Sequence, residues 1–282
     1  MISHDITPEL RKWLVKQTGS GFAPEKMLEA MLTSGWSDAT ARQALAEISS
    51  GTIEPKRGKT ELRDEPVPEP DLLDLPTSLQ VDGRDVTVLM ALQRPRVVVL
   101  GGFLSDIECD KLVALARERL ERSETVVGAT GESEVSEVRS SEGMFFERAE
   151  HEVCERIEAR IAALLNWPVE NGEGLQVLRY GPGAEYRPHY DYFDPGQAGS
   201  SRLLLRGGQR VATMVMYLNT PAKGGATVFP DAGLAVSPVK GNAVFFSYAR
   251  PDPTSASLHG GSPVQAGEKW VATKWLRERE FA

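Results

Sequence analysis

Histidine and cysteine are scarce. The 282 residues hold four of the first and two of the second. Cys109 and Cys154 fall in helix-like segments, and so few thiols favour buried free cysteines over a disulfide. No apolar run reaches the length of a membrane span. The start, Met-Ile-Ser-His-Asp-Ile-Thr-Pro, lacks a basic stretch followed by an apolar one, so no secretory signal is expected. Both absences point to a cytoplasmic protein without a membrane partner. A basic excess is missing too: the net charge is −8, which leaves no bulk footprint for nucleic acid. No internal repeat is visible.

What is present divides into three parts: a small helical module over 1–50, a linker over 51–78 and a large domain over 79–282. In the module, Thr7-Pro8 reads as a helix start, with proline at the first helical position. Pro24 opens a second helix with Met27, Leu28, Met31 and Leu32 on one stripe. Gly35-Trp36 makes a turn, and Ser37 caps a third helix carrying Ala41, Ala44, Leu45 and Ile48. Three such helices resemble a ubiquitin-associated-type or helix-turn-helix module. A packing appendage is the plainer reading; recruitment of a protein partner is the functional one. The linker holds five prolines among many charges and has too little apolar surface to order itself. Gly58-Lys59-Thr60 is not a phosphate loop, because position 53 is Ile where that motif needs glycine.

The large domain opens with a hairpin, Leu79 to Val88, around Asp82-Gly83. Arg96–Leu100 reads as a buried strand. Ser105-Asp-Ile-Glu108 is a capping box for a helix to about Arg122, with Ile107, Leu112, Leu115 and Leu120 inward. Residues 123–143 are polar and glycine-rich, a surface loop or a lid. Val153, Ile157, Ile161, Leu164 and Leu165 line a second helix ended by Asn166-Trp-Pro168, with His151 facing solvent at its start. From Leu175 the pattern is short strands: 175–180, 211–218, 243–248 and 271–276. The fold class expected is mainly β (α+β): a double-stranded β-helix, or jelly roll, with supporting helices on one sheet.

His189 and Asp191 stand two apart after Tyr180-Gly-Pro-Gly-Ala-Glu-Tyr186. On a strand, residues i and i+2 share a face, so an imidazole and a carboxylate converge. His259, before Gly-Gly, is a second imidazole. Two histidines and one carboxylate form a facial triad that leaves metal positions open. Taken singly, each has a plainer role as core, turn or loop residue, and ligand type alone also allows zinc. Alternation puts Lys269, Val271, Thr273 and Trp275 on one face of the last strand. If that face is inward, Lys269 is a buried ammonium that needs an anionic partner. Lys274 faces the other way and reads as an ordinary exposed lysine. Arg202 and Arg206 read as solvated loop residues.

These residues come in a familiar order. Arg139-Ser-Ser-Glu-Gly-Met-Phe precedes the Tyr180–Asp191 stretch. Gln209-Arg-Val-Ala-Thr-Met-Val-Met-Tyr-Leu-Asn219 and Gly224-Gly-Ala-Thr-Val-Phe-Pro230 follow it, then His259 and Lys269-Trp. Over roughly 79–280 the sequence resembles the prolyl 4-hydroxylase branch of the Fe(II)/2-oxoglutarate-dependent dioxygenases. The resemblance implies Fe(II) on His189, Asp191 and His259, with 2-oxoglutarate and O2 as co-substrates and ascorbate as a candidate reductant. It implies Lys269 as the anchor of the 2-oxoglutarate 5-carboxylate, helped by Tyr180 and Thr227. It places Tyr186, Arg210 and Trp275 along a peptide groove. The implied reaction hydroxylates a prolyl residue of a peptide or protein and releases succinate and CO2. A free amino acid or small metabolite is the alternative substrate. A non-catalytic binding protein acting through the N-terminal module is the alternative of another class.

Overall fold

A computed structural model describes residues 6, 10, 13, 14, 24–33, 36–49, 67–74, 76–126, 133–135 and 140–282. The chain divides into two compact units, Met1–Asp64 and Glu65–Ala282. The Thr7-Pro8 start, Gly35, the Gly58 stretch, Gly128, Gly131 and Arg139 lie outside the described residues.

The first unit holds helices α1 (Pro24–Thr33) and α2 (Asp38–Ser49). The Ser37 hydroxyl accepts from the Thr40 amide at 3.1 Å, the capping expected of it. Leu10, Leu14, Met27, Met31, Ala41 and Ala44 form its core. Leu32 was expected on the buried stripe and is instead 41% exposed. Met27 and Met31 are buried as expected, and Leu32, about 100° around the helix from Met31, turns away from them.

The described residues of the second unit form seventeen strands. In chain order they begin with β1 (Ser78–Val81), β2 (Arg84–Leu92), β3 (Arg96–Gly101), β4 (Glu121–Arg122), β5 (Glu124–Val126), β6 (Ser133–Val135) and β7 (Glu142–Phe146). Then come β8 (Leu175–Tyr180), β9 (Tyr186–His189), β10 (Arg210–Tyr217), β11 (Lys223–Gly224), β12 (Thr227–Phe229) and β13 (Leu234–Val236). The last are β14 (Ala243–Ser247), β15 (His259–Gly261), β16 (Val264–Ala266) and β17 (Lys269–Arg277). Its described residues also form the α-helices α3 (Asp106–Arg117), α4 (Glu152–Leu165) and α5 (Ser200–Leu205).

A nine-stranded sheet runs β1–β2–β3–β14–β10–β17–β8–β7–β4, and a four-stranded sheet runs β13–β12–β15–β9. Their pairings are antiparallel. Alternation sorts the large sheet's side chains into two cores. Ala212, Met214 and Met216 of β10, Phe245 of β14 and Leu276 of β17 pack with Leu112 of α3 and with Ile157 and Ile161 of α4. Tyr217, Val244, Phe246 and Val271 face the other way, against Phe229 and Val236 of the small sheet. Both faces of the central strands are therefore covered, and their sequences are apolar on both. This is the expected jelly roll with helices backing one sheet.

Several local expectations hold. Asp82 (φ 51°) and Gly83 (φ 70°) form the tip of the β1–β2 hairpin, where positive φ matches strand twist. The Ser105–Glu108 capping box is complete. Helix α4 buries the predicted stripe and ends at Asn166 in the left-handed region, φ 47°. Cys109 and Cys154 are free and buried, and burial pushes both thiols up to about 11. His151 sits at the start of α4 with its ring edge-on to Phe146, so it is half-buried rather than fully in solvent.

Others do not. Helix α3 stops at Arg117, and Arg122 lies in β4. Ile107 is 79% exposed, while Cys109, Leu112 and Ala116 make the inward stripe. The reason is Glu108: its carboxylate caps the helix and also pairs with buried Arg160 at 2.7 Å, which turns its side of the helix inward. Arg202 and Arg206 are exposed as expected, but they belong to helix α5 and its end rather than to a loop, and Arg206 donates to the Ala282 backbone oxygen at 2.9 Å. Part of the segment read as linker is seated on the second unit. Glu69 accepts from Arg96 at 2.6 Å and from the Ser247 hydroxyl at 2.5 Å, and Leu72 packs on the helix-side core.

Lys274 is the clearest departure. It is buried on the helix side of β17 and pairs with Glu158 of α4. Removing one partner of a buried pair leaves the other charge unpaired, which costs about 3–5 kcal/mol. Glu158→Ala is expected to lower unfolding stability by that order, read from urea denaturation. A loss within the range of a surface substitution would show that the pair is not buried in solution.

Candidate active site

Strands β9 and β15 pair with His189 directly opposite His259, so the sheet register itself brings the two imidazoles together. Their ring centroids are 4.4 Å apart. Asp191 follows β9 by two residues and turns its carboxylate to both: His189 Nε2 lies 3.6 Å from Oδ1, and His259 Nε2 lies 3.5 Å from Oδ2. One ligand atom from each of the three falls within 4.8 Å of the others, the one such group among the described residues.

The surroundings prepare each side chain for a cation. His189 Nδ1 is 2.9 Å from the Arg187 carbonyl and His259 Nδ1 is 3.0 Å from the Ser257 carbonyl. Each Nδ1 therefore carries the proton and donates it, leaving Nε2 with a free lone pair toward Asp191. Burial holds His259 neutral, pushed down to about 4. Burial also works against the Asp191 charge, but positive charge on the facing imidazoles, with Arg210, outweighs it and holds the carboxyl below its ordinary range; with the imidazoles neutral, a metal cation would supply that positive charge. A neutral imidazole and an ionised carboxylate are the states a metal ligand must have. Tyr186 stacks on the His189 ring, centroids 3.7 Å apart, and fixes its plane.

Behind the triad lies an inner cavity of about 50 Å³, which opens into an outer groove of about 1200 Å³. Tyr186, His189, Asp191 and Trp275 line both, so the triad stands at their junction. Lys269, Tyr180 and Thr227 line the inner cavity. Lys269 sits directly across from Tyr180 in the β17–β8 pairing and is 4% exposed. Its ammonium lies 5.5 Å from the Tyr180 ring centre and 5.8 Å from that of Tyr217. It has no hydrogen bond or ion pair among the described residues, and burial alone pushes it down to about 8. A buried cation without a counter-charge, sharing a cavity with a metal-type triad, fits a ligand that carries one carboxylate for each end. 2-Oxoglutarate has that form. Thr227 accepts from the Tyr217 hydroxyl at 2.8 Å, which adds Tyr217, a residue the sequence reading passed over, to this end.

The outer groove is aromatic: Phe145, Tyr186, Tyr190, Tyr192, Phe193 and Trp275 line it. Arg210 lies there with its guanidinium 4.1 Å from the Trp275 ring centre and 4.8 Å from that of Phe193. It is held by Glu173, at 2.6 and 2.8 Å. Arg277 adds a third charge to this cluster, 3.0 Å from Glu173. Neither Glu173 nor Arg277 was singled out in the sequence. The only available signal was an acidic residue flanked by Gly172 and Gly174 before an apolar strand. The Trp275 indole N–H is buried and lacks a hydrogen-bond partner among the described residues. Of the possible lid, the β5–β6 hairpin is described. Ser123 and Gly143, at its two ends, line the groove.

A family model, the 2OG-Fe(II) oxygenase superfamily, matches residues 175–277, the span that holds the triad, Lys269, Arg210 and Trp275. Prolyl 4-hydroxylase 2 of Arabidopsis thaliana is 43% identical over 211 residues, covering 67% of this chain and 69% of the relative. Prolyl 4-hydroxylase 1 of the same plant is 46% identical over 202 residues, covering 66% and 70%. Among solved structures, the viral collagen prolyl hydroxylase of Paramecium Bursaria Chlorella virus-1, in its 2OG complex, is similar with a TM-score of 0.51 and 34% identity. That match covers 64% of this chain and 95% of the viral one. Fold, triad and relatives agree: the chain belongs to the 2OG-Fe(II) oxygenase superfamily, as a prolyl 4-hydroxylase-like, 2-oxoglutarate-dependent Fe(II) dioxygenase.

Proposed function

We propose that this enzyme hydroxylates a prolyl residue within a peptide or protein and releases succinate and CO2. The observation that carries the choice of a peptide is the long aromatic groove leading to the triad, with an unpartnered indole N–H on Trp275. Extended peptides carry backbone carbonyls that need donors, and proline-rich ones dock on aromatic rings. A free amino acid would leave most of a 1200 Å³ groove empty. The relatives named prolyl 4-hydroxylases support the same choice.

In this reading His189, Asp191 and His259 hold the ferrous ion. Lys269 pairs with the 5-carboxylate of 2-oxoglutarate, and Tyr180 and Thr227 bond the same end. When bound, iron and co-substrate supply the oxidising power that side chains lack. The chain contributes orientation and exclusion of water. Tyr186 keeps the His189 plane fixed; Arg210 and Trp275 grip the peptide backbone. Ascorbate serves as accessory reductant. The two free, buried cysteines support a reducing, cytoplasmic setting. The direct test is succinate formation with proline-containing peptides and, in parallel, with free proline and other amino acids. Peptides are expected to raise it well above the substrate-free rate and to gain one oxygen by mass. Stimulation by a free amino acid alone would replace this reading with the small-metabolite one.

The N-terminal module, by this proposal, recruits the protein that carries the target proline, so domain 79–282 with its seated lead-in is the catalytic part. The compact division at Asp64 and Glu65 supports it. A chain starting at Glu65, which keeps the seated residues 67–72, is expected to hydroxylate a short peptide as the full chain does. It should act poorly on the full-length partner, since tethering raises effective concentration without touching catalysis. Equal losses on both substrates would contradict recruitment.

A further inference from the structure

One hydrogen-bonded relay reaches a proposed ligand from the core side. Thr213, on β10, is wholly buried, and its hydroxyl lies 2.7 Å from Asp191 Oδ2. The Tyr248 hydroxyl lies 2.9 Å from the same Thr213 oxygen, and Tyr248 is 2% exposed. The proton directions follow from chemistry. An ionised carboxylate only accepts, so the single Thr213 hydrogen points at Asp191. Tyr248 must then donate to Thr213. The chain runs Tyr248 to Thr213 to Asp191, each donor oriented by the next acceptor.

The relay acts on one carboxylate oxygen only. Oδ2 carries a charge-assisted hydrogen bond, while Oδ1 accepts none among the described residues and faces the His189 Nε2 lone pair at 3.6 Å. We propose that Thr213, oriented by Tyr248, is a positioning residue that ties up Oδ2, so that Asp191 offers Oδ1 to the metal as a single-point ligand. The consequence is functional. Single-point ligation with two imidazoles fills three metal positions and leaves three for co-substrate and oxygen; a carboxylate bound through both oxygens would take a fourth. The proposal rests on the triad being the metal site.

Co(II) binding to the metal-free, full-length protein, without 2-oxoglutarate or substrate, tests it. The readouts are the dissociation constant and the visible Co(II) absorption, which reports coordination. Thr213→Val keeps the shape and removes the hydroxyl; it is expected to weaken Co(II) binding about 10–100-fold and to change the absorption. Thr213→Ser restores the hydroxyl and should return both toward wild type. Tyr248→Phe, which keeps the ring, should shift both in the same direction as Thr213→Val by less, and it carries the test if Thr213→Val does not fold. Wild-type affinity and absorption in Thr213→Val or in Tyr248→Phe would overturn the relay. A loss in Thr213→Ser as large as in Thr213→Val would assign the effect to packing and overturn it too. Failure of the wild-type protein to bind Co(II) would instead remove the metal site beneath both this proposal and the functional reading.

Discussion

Asp191→Ala is expected to abolish turnover, with 2-oxoglutarate consumption falling at least about 10³-fold, because residues that act as one unit fail together. The fold should survive. Asp191 hangs off the end of β9 and its carboxylate meets the two imidazoles and Thr213, with no apolar packing role. Metal binding and turnover should therefore vanish together, while the metal-free melting temperature stays near that of the wild type. A variant that still binds iron one-to-one and makes succinate would take Asp191 out of the ligand set.

Lys269→Ala is expected to act on the co-substrate alone. Its ammonium has no partner among the described residues, so a bound carboxylate would be its sole counter-charge. Breaking such a pair in a dry site costs about 3–5 kcal/mol, which corresponds to roughly 10²–10³-fold or more in the KM for 2-oxoglutarate. Metal affinity without 2-oxoglutarate should not change. The wild-type enzyme should show the same contact through pH. Burial lowers Lys269 to about 8, so below that value the group is charged and ready to bind. Above it the proton must be taken up on binding, and the KM for 2-oxoglutarate should climb about tenfold per pH unit. The climb should be absent in Lys269→Ala. An unchanged KM in that variant would move the anchor elsewhere.

The parts of this site written in a short local pattern were legible in the sequence. Lys269 shares a face with Thr273 and Trp275 by strand period, while β9 ends at His189 and Asp191 reaches the same spot from the bend two residues on rather than from the continuous strand expected. The jelly roll followed from the same alternation. What escaped depends on partners remote in sequence. Lys274 was read as exposed because nothing near it signals Glu158, 116 residues away. Arg210 was placed in the groove, yet its holder Glu173 lies 37 residues upstream on the far side of β8 and β9. Thr213 carries no local signal of its partner, although a hydroxyl inside an apolar run is a polar group that must find an acceptor once buried. Ile107 was assigned inward on spacing alone, and the buried Glu108–Arg160 pair turned the helix another way.

The central claim is that one molecule of oxygen is divided between 2-oxoglutarate and a prolyl carbon at this triad. Mass spectrometry of a single reaction run under oxygen-18 gas tests it most directly, with a proline-containing peptide, Fe(II) and 2-oxoglutarate. The peptide should gain one labelled oxygen on proline, and succinate should gain another. A peptide left unmodified while succinate accumulates, or one whose new oxygen is unlabelled and comes from water, would contradict it.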